Sequence, residues 1–449
     1  MTLYPKYKKY KPTLCAWLEE IPAHWEIKRI KNVATYNDEA LDERTDPDFE
    51  INYVDISSVT LTNGIEKTET ITFEKAPSRA RRKVKDGDII VSTVRTYLKA
   101  IASIGDPPES MVVSTGFVVI RPKENFHSGF AGYLLQSNGF VGEVVANSVG
   151  VSYPAINASD LVRIPAVEPP LEEQQAIARF LDFKTAQIDA LIAKQQALLG
   201  KLAEKRTALI SHAVTKGLDP SVPMKASGVE WLGAIPLGWT TKRLRFLTTM
   251  SGGMTPSTSN AAYWGGDIPW ITPKDMKSES LSGSIDTLTD EAVQDTGITL
   301  HESGRILIVV RGMILAHTFP VAINVVPATV NQDMKALSTS LNKEYLALLL
   351  KGIQPIILSV VEESAHGTKV LRTDIFKNIY LPVPPSNVQK EIVDQVNSWL
   401  TALDSQTYSV ESVIERLREY RSAIVTNAVT GKIDVRYFPF PQSAEGMTS

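Results

Sequence analysis

The sequence predicts a mixed α/β (α+β) chain made by internal duplication, in which two globular domains of helix and strand are separated by two long antiparallel coiled-coil helices. Three observations lead there. A Trp-Pro segment recurs after about 214 residues, two polar-apolar stretches carry one 4,3 apolar spacing in the same register, and short apolar runs punctuated by Gly, Asp and Pro fill the sequence between.

The bulk numbers permit this. At 449 residues the chain exceeds what one hydrophobic core usually organises. Hydrophobic content of 43%, aromatics at 8% and charged residues at 22% are those of a globular protein, not a disordered or fibrous one. No run approaches the roughly 18 apolar residues of a membrane span. Met1 to Pro12, rich in Lys and Tyr, lacks the apolar core of a signal peptide, so a cytoplasmic location without membrane attachment is expected. The single cysteine, Cys15, rules out an internal disulfide and Cys-rich zinc sites, in agreement with a reducing compartment. A net charge of −3 argues against a generic polyanion binder, so any nucleic-acid contact must come from local patches or from a partner.

The repeat is explicit. Trp17-Leu-Glu-Glu-Ile-Pro-Ala-His-Trp25 returns as Trp231-Leu-Gly-Ala-Ile-Pro-Leu-Gly-Trp239, and Lys28-Arg29-Ile30 returns as Lys242-Arg243-Leu244. Ile164-Pro-Ala-Val-Glu-Pro-Pro170 answers Leu381-Pro-Val-Pro-Pro385, and Ala213-Val214-Thr215 answers Ala428-Val429-Thr430. Because Trp17, Trp25, Trp231 and Trp239 repeat in this framework, they read as structural anchors.

The long stretches after each Pro-Pro pair are helices with a seam. Ile177, Leu181, Ile188, Leu191, Leu198 and Leu202 fall at a and d positions of a heptad, with Lys184 and Gln195 filling the gaps. Adding 215 gives Ile392, Val396, Trp399, Leu403, Val410, Val413 and Leu417. Pro169-Pro170 with Glu172 and Glu173 suits a first turn, Ser386-Asn-Val-Gln389 has the form of a capping box, and Gly217 and Gly431 stand where C-terminal caps belong. Gly200 dissents, at a cost of roughly 1 kcal/mol against Ala. A helix from about Leu171 to Val214 spans roughly 65 Å at 1.5 Å per residue, long enough to act as a ruler. Being joined through a whole globular domain, the two helices can pair antiparallel.

Strands are expected at Ile51–Ile56, Asp88–Thr93, Gly116–Arg121, Arg305–Val310 and Lys335–Leu337, with short helices near 128–146 and 343–361. The implied boundaries are an N-terminal arm and opening segment (1–21), a first globular domain (22–167), a central helix (168–217), a linker with the second opening segment (218–235), a second globular domain (236–383), a C-terminal helix (384–431) and a tail (432–449).

The Ile-Pro-x-x-Trp opening, the Gly87-Asp-Ile-Ile-Val-Ser92 strand, the Pro169-Pro-Leu-Glu-Glu-Gln174 turn and the Leu-Ile-Ser-His-Ala-Val-Thr-Lys-Gly217 helix end together resemble the specificity subunits of type I restriction-modification systems, over nearly the whole chain. The resemblance implies two target-recognition domains, each reading one half of a split double-stranded DNA target, and helices that dock two modification (methyltransferase) subunits, with restriction/motor subunits in the full complex. It implies no catalysis by this chain. S-adenosylmethionine, ATP and Mg would sit on the partner subunits, with no cofactor or metal bound here. Two readers of major-groove edges must address one face of the duplex, so a rigid spacer between them is physically coherent.

Candidate DNA contacts follow, each beside a plainer reading. Arg79, Arg81, Arg82, Lys83 and Lys85 form a cationic run before a strand, either a phosphate-binding loop or a solvated surface. Thr93, Arg95, Tyr97 and Lys99 follow the Gly-Asp strand and align with Val310-Arg311-Gly312; Arg95 and Arg311 could read guanine or simply form salt bridges. Ser148 to Tyr153, with Ser152 and Tyr153 foremost, and Ser364 to Lys369, with His366, Thr368 and Lys369, occupy matching loops that either approach DNA or are plain turns, with Arg372 just beyond the second. Lys274 joins the candidates. The N-terminal Tyr4, Lys6, Tyr7, Lys8, Lys9, Tyr10 and Lys11 suit either nucleic acid or packing beside the opening segment.

Competing functions are few. The chain lacks a methyltransferase tetrad, a Walker loop, a metal-binding histidine cluster and a serine nucleophile elbow. Asp267 with Asp275-Met-Lys277 imitates a metal-dependent nuclease, although Ile268 to Asp275 also resembles a strand-turn of the recognition-domain family. A coiled-coil scaffold that binds no DNA is a third possibility, and a specificity subunit of a related fused methyltransferase-nuclease system is a fourth.

Overall fold

The computed structural model describes residues 4–440, and residues 441–449 of the expected tail lie outside the described residues. The chain divides into two compact units, one formed by residues 1–196 with 412–449 and the other by 197–411. Each long helix, Leu171–Lys216 and Ser386–Val429, therefore contributes one part to each unit.

Unit 1 is built around two four-stranded sheets. In the first, Ile89–Ser92 lies between Ile101–Ser103 and Phe117–Pro122, whose far edge carries Ala34–Tyr36. All four residues of Ile89–Ser92 are buried, which is why this strand reads as an unbroken apolar run and not as an alternating one. The second sheet runs Glu69–Thr72, Glu50–Val54, Met111–Ser114, Ala80–Lys83, with a parallel pair at its centre. Ile90, Phe117 and Val119 of the first sheet join Val54 and Val113 of the second in one core. Ser128–Gln136 and Asn138–Ala146 are helices.

Unit 2 repeats the plan with variations. Its five-stranded sheet is ordered Thr248–Gly252, Met334–Thr339, Ile306–Val309, Val321–Asn324, Ser280–Leu281, and a three-stranded sheet is ordered Asp286–Leu288, Trp264–Ile271, Thr329–Val330. The strand Ile306–Val309 is again buried throughout. The helices Lys343–Gly352 and Gln354–Leu358 complete it.

The framework residues recur in role as well as in sequence. The strand Glu26–Arg29 pairs with Pro165–Glu168 in unit 1 as Thr240–Arg243 pairs with Tyr380–Val383 in unit 2. Gly217 and Gly431 end the helices with φ of 83° and 73°, a left-handed conformation open to glycine. A Cβ on Gly217 would lie 3.4 Å from Trp239, and one on Gly431 only 2.4 Å from Pro22 and 3.0 Å from Trp25. The Trp-Pro segments therefore anchor each unit on a helix end, and only glycine permits the approach at residue 431.

The helices run antiparallel within each unit. In unit 1, Glu173 faces Arg436, just past the second helix, while Asp189, further along, faces Arg421. In unit 2, Arg206 pairs with Asp404, and Gly217 lies beside Pro385 at the opposite helix start. The seam departs from strict heptads. Ile177, Leu181, Ile188, Ile392, Val396 and Leu403 are buried, and Leu202, Trp399, Val410 and Leu417 are half-buried. Leu191, Leu198 and Val413, however, are 46%, 41% and 41% exposed, whereas Ile192 and Ile414 are 7% and 6% exposed. A straight helix drifts about 20° per heptad, so the buried stripe slides one position along the sequence at the 3.6-residue period.

One further expectation changes. Gln389 closes no capping box: its amide donates to Pro384 O at 2.9 Å and its carbonyl accepts from Asn342 N at 2.8 Å. Gln174 does the same in unit 1, donating to Pro169 O and accepting from His127 N. Each glutamine thus pins the start of a long helix to the capping residue of a shorter one, His127 before Ser128–Gln136 and Asn342 before Lys343–Gly352. The N-terminal arm packs rather than reaching out. Tyr7 is buried against Trp25 and donates to Glu173, and Tyr4 lies edge-on to Phe180.

Candidate nucleic-acid interface

Beyond the central strand of unit 1, a turn and a distant loop are joined into one surface. Val94 and Val149 both bridge to Ala155, and Ile156 N donates to Thr93 O. Thr96 and Ser148 share a hydrogen bond at 2.8 Å between their hydroxyls. The turn Thr96–Leu98 is flanked by Arg95 and Lys99, both left-handed with φ of 50° and 52°. For L residues that conformation costs on the order of 1 kcal/mol each, so the surrounding contacts hold the turn in place.

What the surface presents is cationic and apolar together. Arg95, Tyr97, Leu98, Lys99, Val149, Val151 and Tyr153 are all exposed, and the Arg95 guanidinium lies 5.0 Å from the centre of the Tyr153 ring. Among the described residues, neither Arg95 nor Lys99 lies within ion-pair distance of a carboxylate, which leaves both charges available. Ser152 is exposed at the tip of the same loop. Leu98, Val149 and Val151 carry no signal in the sequence, because isolated apolar residues look like core until their exposure is seen.

Unit 2 builds the equivalent surface with other residues. Leu371 N donates to Val310 O and Arg311 bridges to Val370, as Ile156 and Val94 do in unit 1. Arg311 thus takes the place of Val94, and Gly312 that of Arg95, so the two arginines are neighbours in the repeat and not equivalents. The matching loop is the hairpin Glu362–Glu363 with Lys369–Val370, closed by Ser364 N to Thr368 O. His366 is exposed at its tip and Thr368 is half-buried. Lys369 is tied to Glu363 at 2.6 Å and Arg372 to Asp374 at 2.8 Å, whereas Arg311 is exposed. The Glu363 carboxyl is held below its usual range by Lys369, and that of Asp374 by Arg372.

The cationic run of unit 1 is a strand and not a loop. Ala80–Lys83 pairs antiparallel with Met111–Ser114, because the run's small and half-buried positions fit a sheet edge. Arg79 is bonded to Tyr53 and Asp55, Arg81 stacks 4.6 Å over Phe73, and Lys85 pairs with Glu39. Arg82 is partly buried with its Nε unpaired, and burial lowers its pKa. Lys83 is half-buried opposite Val112. Thr93 is also consumed internally: it is buried, and its hydroxyl donates to Gly116 O at 2.9 Å. Lys274 is exposed on a turn.

The nuclease-like spacing has a structural explanation. One oxygen of Asp275 accepts from Thr272 N and its hydroxyl, and the other accepts from Ile285 N. The carboxylate closes a turn and is engaged on both oxygens by these donors. Among the described residues, no helix is long and apolar enough to cross a membrane.

Comparison with known proteins agrees with this architecture. The family model described as "Type I restriction modification DNA specificity domain" matches residues 22–199 and again 236–415. The chain is similar to the EcoR124I/EcoR124II specificity subunit of Escherichia coli, 32% identical over 206 residues, which are 45% of this chain and 48% of that one. It is also similar to the MjaIX specificity subunit of Methanocaldococcus jannaschii, 29% identical over 41% of this chain and 43% of that one, so the chain spans about half the length of these two relatives. The HindI specificity subunit of Haemophilus influenzae matches more extensively, 25% identical over 83% of this chain and 92% of that one. One solved chain, from work on complex assembly and conformational transition of the type I R-M system, shares the fold with a TM-score of 0.70, 22% identity, and coverage of 91% and 98%.

Proposed function

Because the chain belongs to the family of type I restriction-modification DNA specificity subunits, whose members are non-catalytic, we propose that each half reads one part of a split DNA target. The observation that carries this reading is the repeated turn-and-loop surface, Arg95 to Lys99 with Val149 to Tyr153 in one unit and Arg311 with the 364–368 hairpin tip in the other. The two surfaces share a backbone plan and differ in side chains, as two readers of different half-sites would.

The long helices, each contributing to both units, set the spacing between half-sites and dock two modification subunits. The restriction/motor subunits join in the full complex, and S-adenosylmethionine, ATP and Mg²⁺ belong to those partners. The near-neutral charge of the chain makes the assembled complex the proper state for DNA binding, since phosphate neutralisation dominates affinity. A cytoplasmic location fits this role.

The test is methylome sequencing of a host that expresses the chain with its modification subunit. A split motif that disappears on deletion of this chain is the expected result. A contiguous motif, or methylation indifferent to the deletion, refutes the reading. Inserting whole helical turns at matched positions of both long helices should change only the gap of the motif.

A further inference from the structure

The two halves of the chain diverge at one cross-strand pair, and in unit 2 a cavity lies beside it. In unit 1, Asp88 stands just before the strand Ile89–Ser92 and Arg121 lies beside it on Phe117–Pro122. The Asp88 side chain is only 1% exposed and accepts from Nε and a terminal nitrogen of Arg121, both at 2.8 Å. Val84, just upstream, is buried in the core.

Unit 2 repeats the backbone and changes the chemistry. Gly87 and Gly304 are both left-handed, at 81° and 86°, and each donates its N–H to the adjacent strand segment, at Ile104 and Asn324. Extending each register by one residue places Arg305 where Asp88 stands and Ser338 where Arg121 stands, and His301 lies three residues before Gly304 as Val84 lies three before Gly87. The cation has crossed to the other strand and its carboxylate is gone. Arg305 donates to the Ser338 hydroxyl and, among the described residues, lies within ion-pair distance of no carboxylate.

A cavity of about 430 Å³ occupies the position, lined among others by Thr249, Ser251, His301, Glu302, Arg305 and Ser338. His301 is 5% exposed, with its backbone fixed by a bridge to Ala328, and its Nε2 is buried without a partner. Burial first, then Arg305 beside it, keeps this imidazole below its ordinary pKa, against the Gly252 backbone, which favours the protonated ring. The buried ring nitrogen of His301 carries a desolvation cost that a bound oxyanion would remove, and Arg305, which has no counter-charge among the described residues, would gain one. The hydroxyls of Thr249, Ser251, Thr299 and Ser338, a guanidinium fork and an imidazole suit a tetrahedral group with several acceptor oxygens. Glu302 is exposed, so water screens its charge.

We propose that this cavity is a binding site for a phosphate group, supplied by inorganic phosphate or by a small soluble phosphomonoester. The site is separate from the surface assigned to DNA. Arg305 precedes the strand Ile306–Val309 and Arg311 follows it, so roughly 20 Å of extended chain lies between them at about 3.3 Å per residue.

The experiment is thermal unfolding of the full chain in sodium phosphate against sodium chloride at matched ionic strength. Phosphate should raise the midpoint by about 2–4 °C at saturation. Arg305→Gln should lose the rise. The paired change Arg305→Asp with Ser338→Arg copies the Asp88–Arg121 pair of unit 1, should unfold at a midpoint close to that of the unaltered chain in chloride, and should lose the rise as well. A nucleoside 5′-monophosphate acting at lower concentration than inorganic phosphate assigns the site to a phosphomonoester, and equal potency assigns it to the free ion. No rise in the unaltered chain, or an equal rise in the rebuilt variant, overturns the proposal.

Discussion

Arg421 grips Asp189 through two nitrogens, Nε at 2.9 Å and a terminal nitrogen at 3.3 Å, and the residues 215 positions away repeat the bond in mirror order, with Arg206 of the first long helix pairing with Asp404 of the second. One ion pair, duplicated with the chain, thus holds the helices together in each unit. With the Asp189 side chain 42% exposed, solvent screens the attraction, and a double-mutant cycle on Asp189 and Arg421 should give a coupling of about 0.5–1 kcal/mol in urea unfolding. Exchanging the two residues should recover most of the loss from either single alanine; no recovery would mean that the pair merely accompanies the packing.

Gly200 sits exposed in the uninterrupted helix Leu171–Lys216, and a Cβ built there meets nothing within 4 Å. Gly200→Ala should therefore stabilise the chain by roughly 0.5–1 kcal/mol, the difference in helix propensity alone. The measurement is the urea midpoint. A loss of stability would reveal that the glycine serves a bend or a partner's close approach.

Gln174 and Gln389 are nearly fully buried, and each satisfies a capping amide and a proline carbonyl at once. Replacing either by Leu strands both groups in the interior, at about 1–3 kcal/mol for each unsatisfied partner. Unfolding should show the loss for either variant, whereas Gln→Glu at acid pH, where the carboxyl is protonated, should restore part of it.

The duplication and the two helices were legible because they are written in spacing. Trp25 and Trp239 recur in sequence, and so does the apolar seam. The exact seam was not legible: Leu191 and Ile192 are both apolar, and only the real helical period decides which of them turns inward. The cationic run Arg79 to Lys85 misled for a related reason. Charge density suggests an open loop, but Arg79 and Lys85 have partners at Asp55 and Glu39, more than twenty residues away, and local sequence carries no trace of them. The surface around Arg95 was half legible, since its cations stood out while Val149 and Val151 did not.

His301 should make unit 2 sensitive to acid. Burial, reinforced by Arg305, lowers its folded-state pKa below the ordinary 6.5, while Glu302 nearby is exposed. The unfolded chain then takes up the proton first, so the contribution to stability is complete above about pH 6.5 and is lost as pH falls through the lowered value. His301→Val copies Val84 of the other half and should flatten the stability profile between about pH 7 and 5. An unchanged slope would place the titrating group elsewhere.

Arg95 and Lys99 flank one exposed turn yet should behave differently on DNA. The Arg95 guanidinium, stacked on Tyr153 and free of any carboxylate among the described residues, is oriented as a planar donor pair. If it reads a base edge, Arg95→Ala in the assembled complex should cost about 1–3 kcal/mol on the cognate site and relax one position of one half-site. Lys99, a flexible point charge, suits a phosphate, so Lys99→Ala should weaken binding evenly across sequences and lower the salt slope by about 1. Because the second surface is built on Arg311 in the other unit, neither change should alter the second half-site. Methylation motifs and salt titrations of the two variants measure this directly, and relaxation of both half-sites by Arg95→Ala would show that the two units do not read independently.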